Sequence, residues 1–159
     1  MTGWRIGYLA GDKDLVKAIG KLQGQSTSCP NSIAQHAAIE ALTGDQSSVK
    51  KMRLIFQKRR DLIIQLINKI PKTSCKIPNG AFYVFVDFSN YLNSKTTLGK
   101  EIQTSNDLCL YLLSETGVVS VSGESFGAPG YIRFSYATSD ETINKAMVLL
   151  KNALEKLIF

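Results

Sequence analysis

Apolar residues along this chain recur at three- and four-residue steps in some stretches and crowd together in others. Ile6–Ala10 is a short, mostly apolar run after a Gly-Trp-Arg turn, and it predicts a strand ending at Gly11. Asp12 then stands where a helix N-cap is needed, with Leu15, Val16, Ile19 and Leu22 spaced to form one inward face. Gly24–Asn31 is polar, contains Pro30 and predicts a loop. A second helix is expected from Ser32 through the alanine-rich run to Leu42, stopping at Gly44. Val49, Met52, Phe56, Ile63, Leu66 and Ile70 mark a third, longer helix that Pro71 ends.

The pattern changes after Pro71. Ala81–Phe88 is dense in aromatic and β-branched residues and predicts a strand entered from the Pro78-Asn79-Gly80 turn. Asn90–Ser105 is polar and reads as a long loop. A helix over Asn106–Glu115 and a short strand over Val118–Val121 follow. A bend holding Gly123, Gly127 and Gly130 leads to a last strand, Tyr131–Ala137. Thr138 and Glu141 have capping-box spacing before a final helix that buries Ile143, Met147, Leu150, Leu154 and Leu157. A mostly helical first third thus precedes an α+β remainder. The expected boundary lies inside the long helix, giving segments 1–55 and 56–159.

Composition narrows the class without naming it. The chain has 159 residues, 44% hydrophobic and 20% charged, which suits a globular domain with a real core. No apolar run approaches the roughly 18 residues of a membrane span, and no signal-peptide pattern opens the chain, so a cytoplasmic setting is expected. Cys29, Cys75 and Cys109 are scattered, and His36 has no cysteine at ligand spacing. They read as inert thiols rather than a zinc site or disulfide framework. The net charge of +6 owes much to Lys50, Lys51, Arg53, Lys58, Arg59 and Arg60. Such a run can touch nucleic acid, yet Phe56 is its only interleaved aromatic and its apolar residues keep a helical period. A solvated helix face is the better reading.

Two arginines carry the candidate chemistry. Arg5 follows Gly3 and precedes the first expected strand, where a guanidinium can pair with a phosphate or carboxylate. Arg133 stands mid-strand between Ile132 and Phe134, where a charge must be paired or reach water.

Their neighbours add a resemblance. Met1-Thr2-Gly3-Trp4-Arg5-Ile6-Gly7-Tyr8 resembles the segment after the cofactor lysine of class I pyridoxal-phosphate (PLP) aminotransferases. Gln25-Ser26-Thr27-Ser28 with Pro30-Asn31-Ser32-Ile33-Ala34-Gln35 is similar to the next loop and helix of the bacterial aspartate aminotransferase branch. Gly80-Ala81-Phe82-Tyr83-Val84-Phe85 and Tyr131-Ile132-Arg133-Phe134-Ser135-Tyr136-Ala137-Thr138-Ser139 are similar to that branch's small-domain strands. These ordered motifs extend over essentially the whole chain.

The resemblance implies an α/β PLP-dependent transferase of fold type I. Segment 1–55 would be the end of the large cofactor domain and 56–159 the α+β small domain. It implies transamination between aspartate and 2-oxoglutarate, with prephenate or aromatic substrates still open. Arg5 would bind the cofactor phosphate, Arg133 the substrate α-carboxylate, and Phe82 would line the substrate pocket. The implied partners are amino-acid and 2-oxo-acid substrates and a second copy in a homodimer, with neither nucleic acid nor membrane. The family's Schiff-base lysine sits about eight residues before the phosphate arginine, whereas Arg5 has four residues ahead of it. Neither Lys13 nor Lys17 occupies the matching place. The expectation is therefore a C-terminal portion that needs the missing N-terminal part as partner and is inactive alone. Ser122-Gly123 stands where the family has Pro-Gly before its Phe-Gly pair, here Phe126-Gly127. The alternative is a non-catalytic small-domain module that binds a partner or anion through the basic helix. Exposed apolar helix faces and unpaired strand edges are expected in Met1–Gly44.

Overall fold

The computed structural model describes residues 1–159. The chain divides into two compact units, Met1–Lys50 and Lys51–Phe159, with the division in the first turn of the longest helix.

The first unit is helical and owes its helices to their caps. Asp12 accepts the amides of Asp14 and Leu15 at 2.9 and 3.1 Å and opens α1, Lys13–Ser26. Asn31 does the same for Ile33 and Ala34 at 2.8 and 3.2 Å and opens α2, Ser32–Thr43. Each pair satisfies donors that a helix start leaves without intrahelical partners. α1 runs two residues past Gly24, so the expected loop is confined to Thr27–Asn31.

One expected strand is absent from this unit, and the exposed apolar faces expected of it are present. Ile6–Ala10 forms no strand and joins no sheet, so its backbone enters no hydrogen-bond ladder. The intended inward face of α1 is open instead, with Leu15 57% and Leu22 73% exposed. Ala34 is the unit's one buried hydrophobic residue. Periodicity and caps here specify helices without supplying anything for them to cover.

The second unit has a continuous core. The long helix α3, Ser47–Ile67, ends in a turn where Thr73 Oγ1 donates to the carbonyls of Ile67 and Ile70 at 3.1 and 2.9 Å. A four-stranded antiparallel sheet follows, in the order β1 (Ser74–Cys75), β2 (Tyr83–Asp87), β6 (Tyr131–Ser135), β5 (Val121–Ser122). β2 and β6 pair along their full length, with Phe85 opposite Arg133 and Val84 opposite Phe134. Side chains alternate across a strand, so this register separates two faces. Val84, Val86, Ile132 and Phe134 lie on the buried face, 0–4% exposed. They join a core with Ile63 and Ile67 of α3, Leu108 and Leu112 of α4 (Ser105–Thr116), and Met147 and Leu150 of α5 (Asp140–Leu154). Each such side chain contributes on the order of 1.5–3 kcal/mol by leaving water. No helix is long and apolar enough to cross a membrane.

Local details correct the expected boundaries. The long polar loop is structured: a 3-10 turn at Ser89–Tyr91 precedes the small hairpin β3 (Ser94–Lys95) and β4 (Glu101–Ile102). Ile158 exchanges backbone hydrogen bonds with Lys95 at 2.8 and 2.9 Å, so the chain's end secures the hairpin. β5 is only Val121–Ser122, and the two-residue strand β1 carries no sequence signal. The cap of α5 is Ser139 rather than Thr138: its Oγ accepts Thr142 N at 3.1 Å. The helix starts one residue later than expected, so Thr142, not Glu141, occupies the third helical position.

Candidate functional site

The outer face of the β2–β6 sheet holds the clearest site. Tyr83, Phe85 and Asp87 of β2 alternate outward from the core residues, as do Tyr131 and Arg133 of β6. All of these are half-buried. The Arg133 guanidinium carbon lies 4.3 Å from the centroid of the Tyr83 ring and 4.7 Å from that of Phe126. Phe85, directly across the ladder, stacks on Tyr131 at 5.0 Å and meets Phe126 edge-on at 6.0 Å. Within its own unit Arg133 has no salt bridge and no side-chain hydrogen bond. Its charge is held by ring faces, and its N–H edge stays available for an anion.

Phe126 sits in a 3-10 turn, Gly123–Phe126, that packs on the start of α4. Glu124 accepts Ser105 N at 2.8 Å and the Ser122 hydroxyl, and Ser105 Oγ accepts Gly130 N at 2.7 Å. Burial works to raise the Glu124 carboxyl, but hydrogen bonds from Ser122 and from the Glu124 and Ser105 backbones outweigh it. They leave the group below its ordinary value. Gly123 is required here, because a Cβ would fall 2.1 Å from Ala128 O and 2.6 Å from Tyr131 O.

Phe82 lies next to this face. Its ring centroid is 4.3 Å from that of Tyr83 and 6.3 Å from that of Phe56. It lines a pocket of about 470 Å³ together with Arg53, Gln57, Arg60, Asn79 and Tyr136. Burial pushes the Tyr136 phenol up, and this protonated hydroxyl donates to Ala81 O at 3.0 Å. Ala81 is held at φ 63°, a left-handed conformation unusual for a residue with a side chain. Tyr83 thus links the two sequence-identified residues of this unit, Arg133 and Phe82.

Arg5 belongs to the first unit. It ends a 3-10 turn, Thr2–Trp4, in the left-handed region at φ 51°, and both its backbone amide and its Nη1 donate to Thr2 O. The residue is exposed, and the rest of its N–H fork is free for an anion.

The basic stretch of α3 is partly neutralised. Lys58 and Arg59 reach Asp140 at the start of α5, at 2.9 and 3.5 Å, and Arg60 is forked onto Asp61 at 2.7 Å. Their charge is engaged inside the unit, which weakens the reading of this helix as an anion-binding surface. The sequence did not single out Tyr83, Phe126 or Glu124. Tyr83 and Phe126 were present in recognised motifs, but their contact with Arg133 depends on strand register and turn placement.

Comparison with known proteins finds relatives over nearly the whole chain. The family model of aminotransferase class I and II matches residues 1–150. The aspartate aminotransferase of Rhizobium meliloti is 43% identical over 99% of this chain, which spans 38% of that relative. The probable aspartate/prephenate aminotransferase of Rickettsia typhi is 48% identical over 99% of this chain and 39% of its own length. Among solved structures, the Rhizobium meliloti enzyme aligns with a TM-score of 0.88 over 99% of this chain and 39% of that one. The Thermus thermophilus aspartate aminotransferase with maleate aligns at 0.81 and 36% identity, over 96% of this chain and 38% of that one. The chain therefore spans less than half the length of the relatives it matches.

Proposed function

The chain belongs to the class I and II aminotransferase family, and we propose that it forms the anion-gripping part of an enzyme moving an amino group from aspartate to 2-oxoglutarate. The products would be oxaloacetate and glutamate. Segment 1–55 would then be the end of the large domain and 56–159 the small domain, a boundary a few residues beyond the division between the two compact units. A cytoplasmic homodimer is the setting this reading expects. Transamination would need, in addition, the part of the relatives' length that this chain does not span.

One observation carries the proposal: Arg133 presents a half-buried guanidinium, without an acidic partner in its unit, on the outer face of the sheet. A planar fork of N–H donors can grip both oxygens of a carboxylate and fix its orientation. That orients the bonds at the neighbouring carbon, which is where positioning lowers a barrier. Phe82 and the pocket beside it supply apolar surface next to the clamp. Maleate, found with the Thermus relative, is a dicarboxylate and fits such a clamp.

The family's cofactor is PLP, which when bound supplies the electron sink for amino-group transfer. The residues present fit its phosphate end. Arg5 is exposed, carries one internal side-chain hydrogen bond and has no acidic partner within its unit. Its role would be to hold the phosphate, while Arg133 holds the substrate carboxylate.

The test is a titration of the purified chain with PLP, followed by fluorescence and by absorbance. Weak binding that inorganic phosphate displaces and that Arg5→Ala abolishes is expected. Binding indifferent to both phosphate and Arg5→Ala would overturn the phosphate assignment.

A further inference from the structure

Two rings from separate elements meet the Arg133 guanidinium. Tyr83 comes from β2, two residues along from the direct ladder partner Phe85. Phe126 comes from the 3-10 turn before β6. Neither ring competes for the arginine's hydrogen bonds. A cation is drawn to the face of an aromatic ring, whereas guanidinium N–H groups point outward in the plane of the group. The two rings, 4.3 and 4.7 Å from the guanidinium carbon, therefore restrain the group and take up none of its hydrogen bonds.

The restraint from Phe126 is itself anchored. Glu124, two residues earlier, ties the turn to the first amide of α4 and to Ser122, and Ser105 ties Gly130 to the same helix end. Gly127 closes the turn at φ 68°. Phe126 is 49% exposed, so core packing does not account for its position.

We infer that Tyr83 and Phe126 are positioning residues for Arg133: they fix the plane of its guanidinium so that its N–H edge meets a carboxylate. The inference rests on the reading of Arg133 as a carboxylate clamp and adds which side chains set its geometry. Phe126 is the more separable of the two, because its turn is hydrogen-bonded in place whatever ring it carries.

The experiment uses the full chain, isotopically labelled, with maleate as probe. The Arg133 Nε–Hε resonance reports the rings directly, since a proton over an aromatic face is shielded. Phe126→Leu and Tyr83→Leu should each move that resonance downfield and weaken maleate binding about two- to fivefold. Phe126→Tyr should restore both. The backbone amide spectrum of α4 and β6 should remain as in the parent, and the two variants lie on different elements, so damage to one leaves the other decisive. An Nε–Hε resonance and a maleate affinity unchanged in both leucine variants would overturn the inference. A resonance that responds to the variants, with maleate perturbing Arg133 in none of them, would overturn the carboxylate reading and leave the ring placement standing.

Discussion

Arg133 and Tyr83 lie on neighbouring antiparallel strands, offset by one diagonal step of the ladder, with the guanidinium carbon 4.3 Å from the tyrosine ring centroid. The register that opposes Phe85 to Arg133 makes this contact possible. A one-residue slip would send Arg133 to the core face, where an unpaired charge is costly.

Replacing Arg133 tests the clamp chemistry. Arg133→Lys keeps the charge but loses the planar fork, and one charge-assisted hydrogen bond is worth roughly 1.5–3 kcal/mol. Maleate affinity should fall about tenfold or more in a calorimetric or resonance titration. Undiminished affinity in Arg133→Lys would mean that charge alone suffices.

The core should be sensitive to truncation. Leu150 is fully buried on α5, and Leu150→Ala should lower the stability of the second unit by about 2–5 kcal/mol. Urea denaturation followed by far-ultraviolet dichroism measures it. A loss under about 1 kcal/mol would place the core elsewhere.

Gly123 should be intolerant of a side chain. Its Cβ would strike the carbonyl oxygens of Ala128 and Tyr131, so Gly123→Ala should displace the turn bearing Phe126. A cost of about 1–3 kcal/mol is expected, along with a shifted Arg133 Nε–Hε resonance. A variant with parent-like stability and spectrum would contradict this packing.

Acid should loosen the same turn. The folded Glu124 carboxyl lies below its ordinary value of 4.5, so the unfolded chain binds its proton first as pH falls. The stabilisation is fully present above about 4.5 and is lost as pH falls through the lower folded value. The amides of Ser105 and Gly130 should shift together in that acid range, and Glu124→Gln should remove the transition. Amides that stay still through the acid range would exclude Glu124 as the anchor.

The two units should differ in protection. Met1–Gly44 exposes Leu22, Ile33, Ile39 and Leu42 and buries one hydrophobic residue, whereas the second unit has a closed core. Hydrogen exchange should be fast across the first segment and slow in β2, β6 and α5. Uniform slow exchange over Met1–Gly44 in a monomer would refute the contrast.

Local signals were legible wherever neighbouring residues decide the outcome. Asp12 and Asn31 cap their helices because a cap is made with amides two and three positions ahead. The apolar spacing of the last helix likewise foretold which of its residues are buried. The same signals misread Ile6–Ala10, because a strand needs a partner elsewhere; the open face of α1 follows the exposure expected of Met1–Gly44. The hairpin of β3 and β4 escaped notice for a related reason. Its strands are two residues long, and its position depends on Ile158 near the other end of the chain.

The sequence by itself determined the family, the order of the helices and of β2, β5 and β6 in the second unit, and Arg5 and Arg133 as the arginines to examine. Ordered motifs and periodicities are properties of the chain read in one dimension. Only the tertiary structure decided how Arg133 is held. Tyr83 stands 50 residues before it in sequence and Phe126 lies in a separate turn, yet ladder register and the Glu124 anchor bring both rings to the guanidinium. Such contacts arise from hydrogen bonds between distant segments, and no local spacing along the chain encodes them.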